Sequence, residues 1–140
     1  MSNAVFNPPV AINEPILSYA PGTPEREELK ETVEALRAQQ LDIPMFINGK
    51  EVRTGNTVSM HPPYDHKHNL GQFHMGDASH VKSAIDSALA ARQAWADMPW
   101  EQRASVFLKA ADLAAGPYRQ KLNAATMLAQ SKNAFQAEID

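Results

Sequence analysis

The chain has 140 residues, with 13 Lys plus Arg against 16 Asp plus Glu and a formal net charge of -3, which leaves no electrostatic basis for wrapping around nucleic acid or an anionic membrane surface. Hydrophobic residues make up 44% and charged residues 21%, the raw material of an ordinary folded core. The absence of cysteine excludes disulfides, a thiol nucleophile and thiolate metal ligands within these residues, and fits a reducing compartment.

The start, MSNAVFNPPVAINEP, carries neither a basic head with an apolar core nor an arginine-rich helix, so a cytoplasmic address is the expectation. No apolar run approaches the roughly 20 residues of a membrane span. Pro8, Pro9, Pro15, Pro21 and Pro24 remove backbone donors and push their predecessors towards extended geometry, so residues 1–22 read as an extended proline-rich arm and 23–140 as the structured unit. Thr23 stands as a candidate N-cap, followed by Pro24 at the first helical position and Glu25 beside the positive end of the helix dipole. Leu29, Val33 and Leu36 then recur at helical spacing, predicting a helix over about 24–40.

In PMFINGKEVR, Asn48-Gly49 supplies two residues tolerant of positive φ between two β-prone runs, so Met45–Ile47 should pair with Lys50–Arg53 in a hairpin. TVSMHPPYD reads as a strand stopped by Pro62-Pro63. HNLGQFHMG reads as a further short strand with Leu70 and Phe73 as its apolar contacts.

Asp77 is a plausible cap for a helix over about 78–96, where Val81, Ile85, Ala88, Leu89 and Trp95 follow one side and Arg92 lays its stem within the stripe. Asp97-Met98-Pro99 interrupts it. A second helix over about 100–115 carries Val106, Phe107, Ala110, Ala111, Leu113 and Ala114 and ends at Gly116-Pro117. A third should open near Pro117 or Tyr118, carry Leu122, Ala125, Met127, Leu128 and Ala129, and pass Ser131-Lys132-Asn133 into FQAEID. No C-cap signal closes it, so its pattern is expected to continue past Asp140.

Motifs that bring chemistry with them are missing. There is no G-x-G-x-x-G, no phosphate loop and no nucleophile elbow; the six glycines are scattered. All five histidines, His61, His66, His68, His74 and His80, fall within twenty residues together with Asp65 and Asp77. His66 and His68 have strand-like alternation, but the other intervals are too long to fix a metal's ligands locally. Glu138 and Asp140, two apart on a helix, point to different faces and read as solvated carboxylates. Trp95 and Trp100 flank the proline break and read as packing at a helix junction.

The order of elements nevertheless has a likeness. FINGKEV, the proline turn in MHPPYDHKHNLGQF, and the helices DASHVKSAIDSALAARQAW and EQRASVFLKAADLAA together resemble the beginning of the NAD(P)-dependent aldehyde dehydrogenase superfamily. Within it, NEPILSYAPGTPEREELKETVEAL and AAGPYRQKLNAATMLAQSKNAFQAEID are similar to the pyrroline-5-carboxylate (L-glutamate γ-semialdehyde) dehydrogenase family, over about residues 13–140. Ala129-Gln130-Ser131-Lys132 matches that family's Gln-Gly-Lys form except that Ser131 replaces glycine.

The resemblance implies an α/β fold of which this chain, mostly helical with an N-terminal β-hairpin, is an incomplete piece of the nucleotide-binding domain. It implies an NAD-dependent, homo-oligomeric parent enzyme of proline catabolism. There a cysteine thiolate attacks the aldehyde, hydride passes to the nicotinamide, and a glutamate-activated water releases the acid, with an amide side chain and backbone N–H groups on the oxyanion. None of those parts matches a position here, so no catalytic, cofactor-binding or metal residue is assigned, and no NAD is expected on this chain alone. Its expected partner is the remainder of the dehydrogenase or a second copy. Two rivals remain at this point: a stand-alone helical interaction module using its apolar stripes, and a histidine-rich metal-binding protein.

Overall fold

The structure, a computed structural model, describes residues 5–139. Its elements in chain order are α1 (Pro24–Ala38), β1 (Leu41–Ile43), β2 (Met45–Ile47), β3 (Lys50–Val52), β4 (Thr57–Met60), β5 (Gly71–His74), α2 (Ala78–Asp97), α3 (Trp100–Ala115), α4 (Arg119–Gln130) and α5 (Ala134–Glu138). About half of the chain is helical, a partial domain of an α/β fold. Before α1, residues 5–20 form no regular secondary structure.

Pro24 opens α1 as the sequence predicts, but Thr23 does not cap it with its side chain. The Thr23 hydroxyl instead donates to the Ala20 carbonyl at 2.9 Å, closing the preceding turn. The expected hairpin forms, with Met45 opposite Val52, Phe46 opposite Glu51 and Ile47 opposite Lys50, and its second strand stops at Val52, one residue short of the expected Arg53. Asn48 (φ 53°) and Gly49 (φ 71°) supply the two left-handed residues of its turn.

The sheet holds a strand the sequence does not announce. β1, only three residues long, pairs in parallel with β5, which pairs antiparallel with β4 on its other side, giving the order β1-β5-β4. Gly71 faces Leu41 in this ladder with φ 129°, and a β-carbon there would run into the Leu41 backbone. Only glycine tolerates that approach. Leu70 is buried as expected, whereas Phe73 stays more than a third exposed on the sheet's outer face.

A second departure lies near the end. The third predicted helix does not run through: Ser131 adopts the left-handed conformation (φ 58°, ψ 28°) and terminates α4. Asn133 then starts α5 with a capping box, its side chain accepting from the Gln136 amide at 2.9 Å while Gln136 returns to the Asn133 amide at 3.1 Å. The break reverses the chain, so that α5 folds back against α4.

Packing concentrates where α1 meets α4. Tyr19, Leu29, Leu36, Leu70, Ala124 and Leu128 form the buried cluster, with Leu17, Val33, Met60, Met127 and Ala134 against it. By contrast α2 and α3 bury no residue at all. The predicted stripes are present on them but wet: Val81, Ile85, Leu89, Val106 and Phe107 are each more than half exposed. Trp95 and Trp100, read as closing the helix junction, are 41% and 49% exposed, so they do not close it.

Candidate functional site

A buried polar cluster gathers around Glu138 at the end of α5. Glu138, read from the sequence as a solvated carboxylate, has a side chain only 1% exposed. α5 is too short to be stable by itself, and it is the Ser131 reversal that carries Glu138 back to α4. On α4, Arg119 and Asn123 stand four residues apart and therefore on one face. Both donate to the carboxylate: Asn123 Nδ2 to Oε2 at 2.9 Å, and the Arg119 guanidinium through Nε to Oε2 at 3.3 Å and through Nη2 to Oε1.

The remaining donors come from the arm. The Leu17 amide donates to Glu138 Oε1 at 2.7 Å, and the Tyr19 hydroxyl to Oε2 at 2.7 Å. Tyr19 Oη also accepts from Asn123 Nδ2 at 2.9 Å, while Arg119 Nη2 reaches the Pro15 carbonyl at 2.6 Å. Asp140, the other acid of the predicted pair, lies outside the described residues.

Burial by itself would raise the Glu138 carboxyl. The hydrogen bonds from Arg119, the Leu17 amide, the Tyr19 hydroxyl and Asn123 outweigh it and pull the group down to about 2. Burial and the same carboxylate push the Tyr19 phenol up from its ordinary value, keeping it a proton donor. This is a fully paired ion cluster whose oxygens are all engaged, so it has no free lone pair with which to act as a base. Its chemistry is that of a fastener.

The second polar cluster centres on His74, buried on β5. Its Nδ1 accepts from the Thr54 and Gly55 amides at 3.1 and 3.2 Å, which places the ring proton on Nε2, and Nε2 donates to Asp42 Oδ1 at 3.1 Å. Arg53 and Gln72 donate to the same Asp42 carboxylate and hold it below its usual range. Arg53, just after β3, reaches Asp42 on β1 directly at 2.9 Å and so links the hairpin to the three-stranded sheet, while His74 ties β5 to Asp42 and to the connection between β3 and β4.

The other histidines are distributed among local tasks. His61 Nδ1 donates to the His68 carbonyl and His68 Nε2 to the Arg37 carbonyl, each at 2.8 Å. With the Arg37–Asp65 ion pair at 2.5 Å, these bonds dock the proline turn on the end of α1. His66 is exposed on that turn. His80 folds against Asp77, whose carboxylate caps α2 by accepting from the Ser79 and His80 amides at 2.9 and 3.2 Å. Among the described residues, no three His, Cys, Asp or Glu side chains converge on one point.

Among the described residues no glycine-rich strand-to-helix turn is present to receive a dinucleotide pyrophosphate, and the grooves are open to solvent. One of about 400 Å³ is lined by Glu14, Arg119, Leu122, Asn123, Thr126 and Glu138, and one of about 310 Å³ by Tyr19, Arg26, Leu29, Val33, Met127 and Ala134. The lining of these two grooves offers no row of backbone amides at a helix N-terminus of the kind a dinucleotide pyrophosphate takes.

The comparisons with known proteins agree with the order of elements. The aldehyde dehydrogenase family model matches residues 50–140. The chain belongs to the aldehyde dehydrogenase family. It is 51% identical over 138 residues, 98% of this chain and 25% of the relative, to a delta-1-pyrroline-5-carboxylate dehydrogenase of Agaricus bisporus. The human delta-1-pyrroline-5-carboxylate dehydrogenase, named mitochondrial, is 40% identical over 91% of this chain and 23% of its own length. The crystal structure of the Mycobacterium tuberculosis delta-pyrroline-5-carboxylate dehydrogenase bound with NAD superposes at a TM-score of 0.94, with 40% identity, covering 99% of this chain and 26% of that one.

This chain of the aldehyde dehydrogenase family thus spans about a quarter of the length of the relatives it matches, corresponding to their N-terminal part. No helix among its described residues is long and apolar enough to cross a membrane.

Proposed function

We propose that this chain is the N-terminal quarter of an NAD-dependent dehydrogenase that oxidises L-glutamate γ-semialdehyde to L-glutamate in proline catabolism, and that its own task is to brace that enzyme rather than to catalyse. The observation that carries the reading is the 51% identity to a pyrroline-5-carboxylate dehydrogenase, continuous over 98% of the chain. Overall, the aldehyde, water and NAD⁺ would give the carboxylate, NADH and two protons; the nucleophile, general base and cofactor site for this belong to parts of the enzyme outside these residues.

The bracing role is supported by the split in burial. One half, where α1, the arm, α4 and α5 meet, is closed on itself, while α2 and α3 hold their apolar sides out. Those sides suit docking on the remainder of the enzyme, and we include homo-oligomeric assembly in the same reading. The division into an arm over 1–22 and a unit over 23–140 belongs to it too, as does a cytoplasmic address, which the human relative's name does not share.

The test is the substrate preference of the complete protein containing this chain, followed by NADH formation. L-glutamate γ-semialdehyde should be turned over with a far higher kcat/KM than aliphatic aldehydes of the same length without the amino acid head. Equal turnover of both, or none of either, overturns the proposal.

A further inference from the structure

We propose that the arm is a detachable strap, closed by the Glu138 carboxylate as its latch. Residues 5–20 contribute no strand or helix, so no ladder of backbone bonds holds them. Val10 and Ile12 are 83% and 86% exposed. What does fasten the arm is gathered within five residues: Pro15 O to Arg119, Leu17 N and the Tyr19 hydroxyl to Glu138, and Tyr19 O to Arg26 Nη1 at 2.9 Å. A segment fastened at one place opens as one unit, by a local event short of global unfolding.

The geometry also makes the opening separable from the rest of the fold. Glu138 and Arg119 sit on α5 and α4, so their ion pair survives when the strap leaves. Water can then take the places of the Leu17 amide and Tyr19 hydroxyl on the carboxylate, leaving no buried charge without partners. Tyr19 lines one surface groove and Glu138 the other. Lifting the strap withdraws Tyr19 from the cluster with Leu29 and Leu128 and joins the two grooves.

This inference rests on contacts among residues 15–138 and stands apart from the dehydrogenase reading, so either can fail alone. Hydrogen–deuterium exchange of the complete protein tests it, comparing wild type with Glu138→Gln and Tyr19→Phe. The Leu17 amide, protected by its bond to a buried carboxylate, should exchange about tenfold faster in both variants, the loss of about one hydrogen bond's worth of closure. In Tyr19→Phe, which keeps the ring and the ion pair, the amides of α1 and α4 should keep their wild-type rates. Unchanged Leu17 exchange in Tyr19→Phe overturns the proposal, and so does exchange at α1 and α4 that rises together with Leu17, because the arm would then be an inseparable part of the core. Should Glu138→Gln fail to fold, Tyr19→Phe alone decides.

Discussion

The Tyr19 hydroxyl donates to Glu138 Oε2 at 2.7 Å across 119 residues of sequence. That bond joins the arm to the last helix and passes the second half of its reach to α4 through Asn123. A fold whose ends meet at a buried carboxylate inherits the acid's titration.

Glu138 supplies a pH dependence with a definite sign. Its folded-state group is lowered from 4.5 to about 2, so it contributes stability that is complete above its unfolded value and is lost as pH falls through that window. Urea unfolding of the complete protein between neutral pH and about pH 2 should therefore show stability declining below the ordinary glutamate range near 4.3. Glu138→Gln should be less stable at neutral pH by about 3 kcal/mol, since it strands Arg119 in a largely buried position. The gap between the two proteins should narrow towards pH 2, and a gap independent of pH would show that the carboxylate's charge is not what holds the cluster.

Ser131 gives a substitution that should stabilise. It occupies the left-handed region at φ 58°, where a side chain costs about 1–2 kcal/mol that glycine does not incur. Part of this is offset by the extra freedom glycine gains in the unfolded chain. Ser131→Gly should raise the urea midpoint by the equivalent of about 0.5 kcal/mol. A lowered midpoint would mean that the serine side chain contributes more than its backbone costs.

At Gly71 the opposite holds. With φ 129° and the Leu41 backbone where a β-carbon would go, Gly71→Ala must push β1 off β5, at a cost of at least about 2 kcal/mol. Loss of amide protection at Leu41, whose N–H donates to the Leu70 carbonyl at 3.0 Å, would register the separation directly. Wild-type protection there would contradict the close approach.

The exposed sides of α2 and α3 predict the behaviour of the 140-residue chain by itself. Val81, Ile85, Leu89, Val106 and Phe107 leave apolar surface in water, at about 25 cal/mol per Å². Sedimentation velocity should show mass rising with concentration, or the chain should unfold without a sharp transition. A monomer with a concentration-independent, cooperative transition would contradict the account of those faces.

Local chemistry wrote part of this fold into the sequence. Asn48-Gly49 fixed the hairpin register because a two-residue turn needs positive φ at both places, and Asp77 and Pro99 marked helix starts for reasons confined to a single turn. β1 was not legible: three residues, Leu41–Ile43, offer no period, and their partner β5 lies thirty residues on. Nor was the burial of Glu138, since the carboxylate's environment depends on a left-handed serine that reverses the chain. The available signals were indirect, namely a tyrosine inside a proline-rich arm and Arg119 and Asn123 sharing a helix face. As for the histidines, spacing alone argued against local ligation, and the structure assigns His74 to fastening the connection between β3 and β4 onto β5 and His80 to a helix cap.

The central claim is that these residues brace a dehydrogenase without catalysing its reaction, and the most direct measurement is NADH formation from L-glutamate γ-semialdehyde and NAD by two preparations side by side. The complete protein should turn over, and the 140-residue chain at the same molar concentration should give no more NADH than buffer. Turnover by the chain alone, or a complete protein inert towards this aldehyde, would contradict the account.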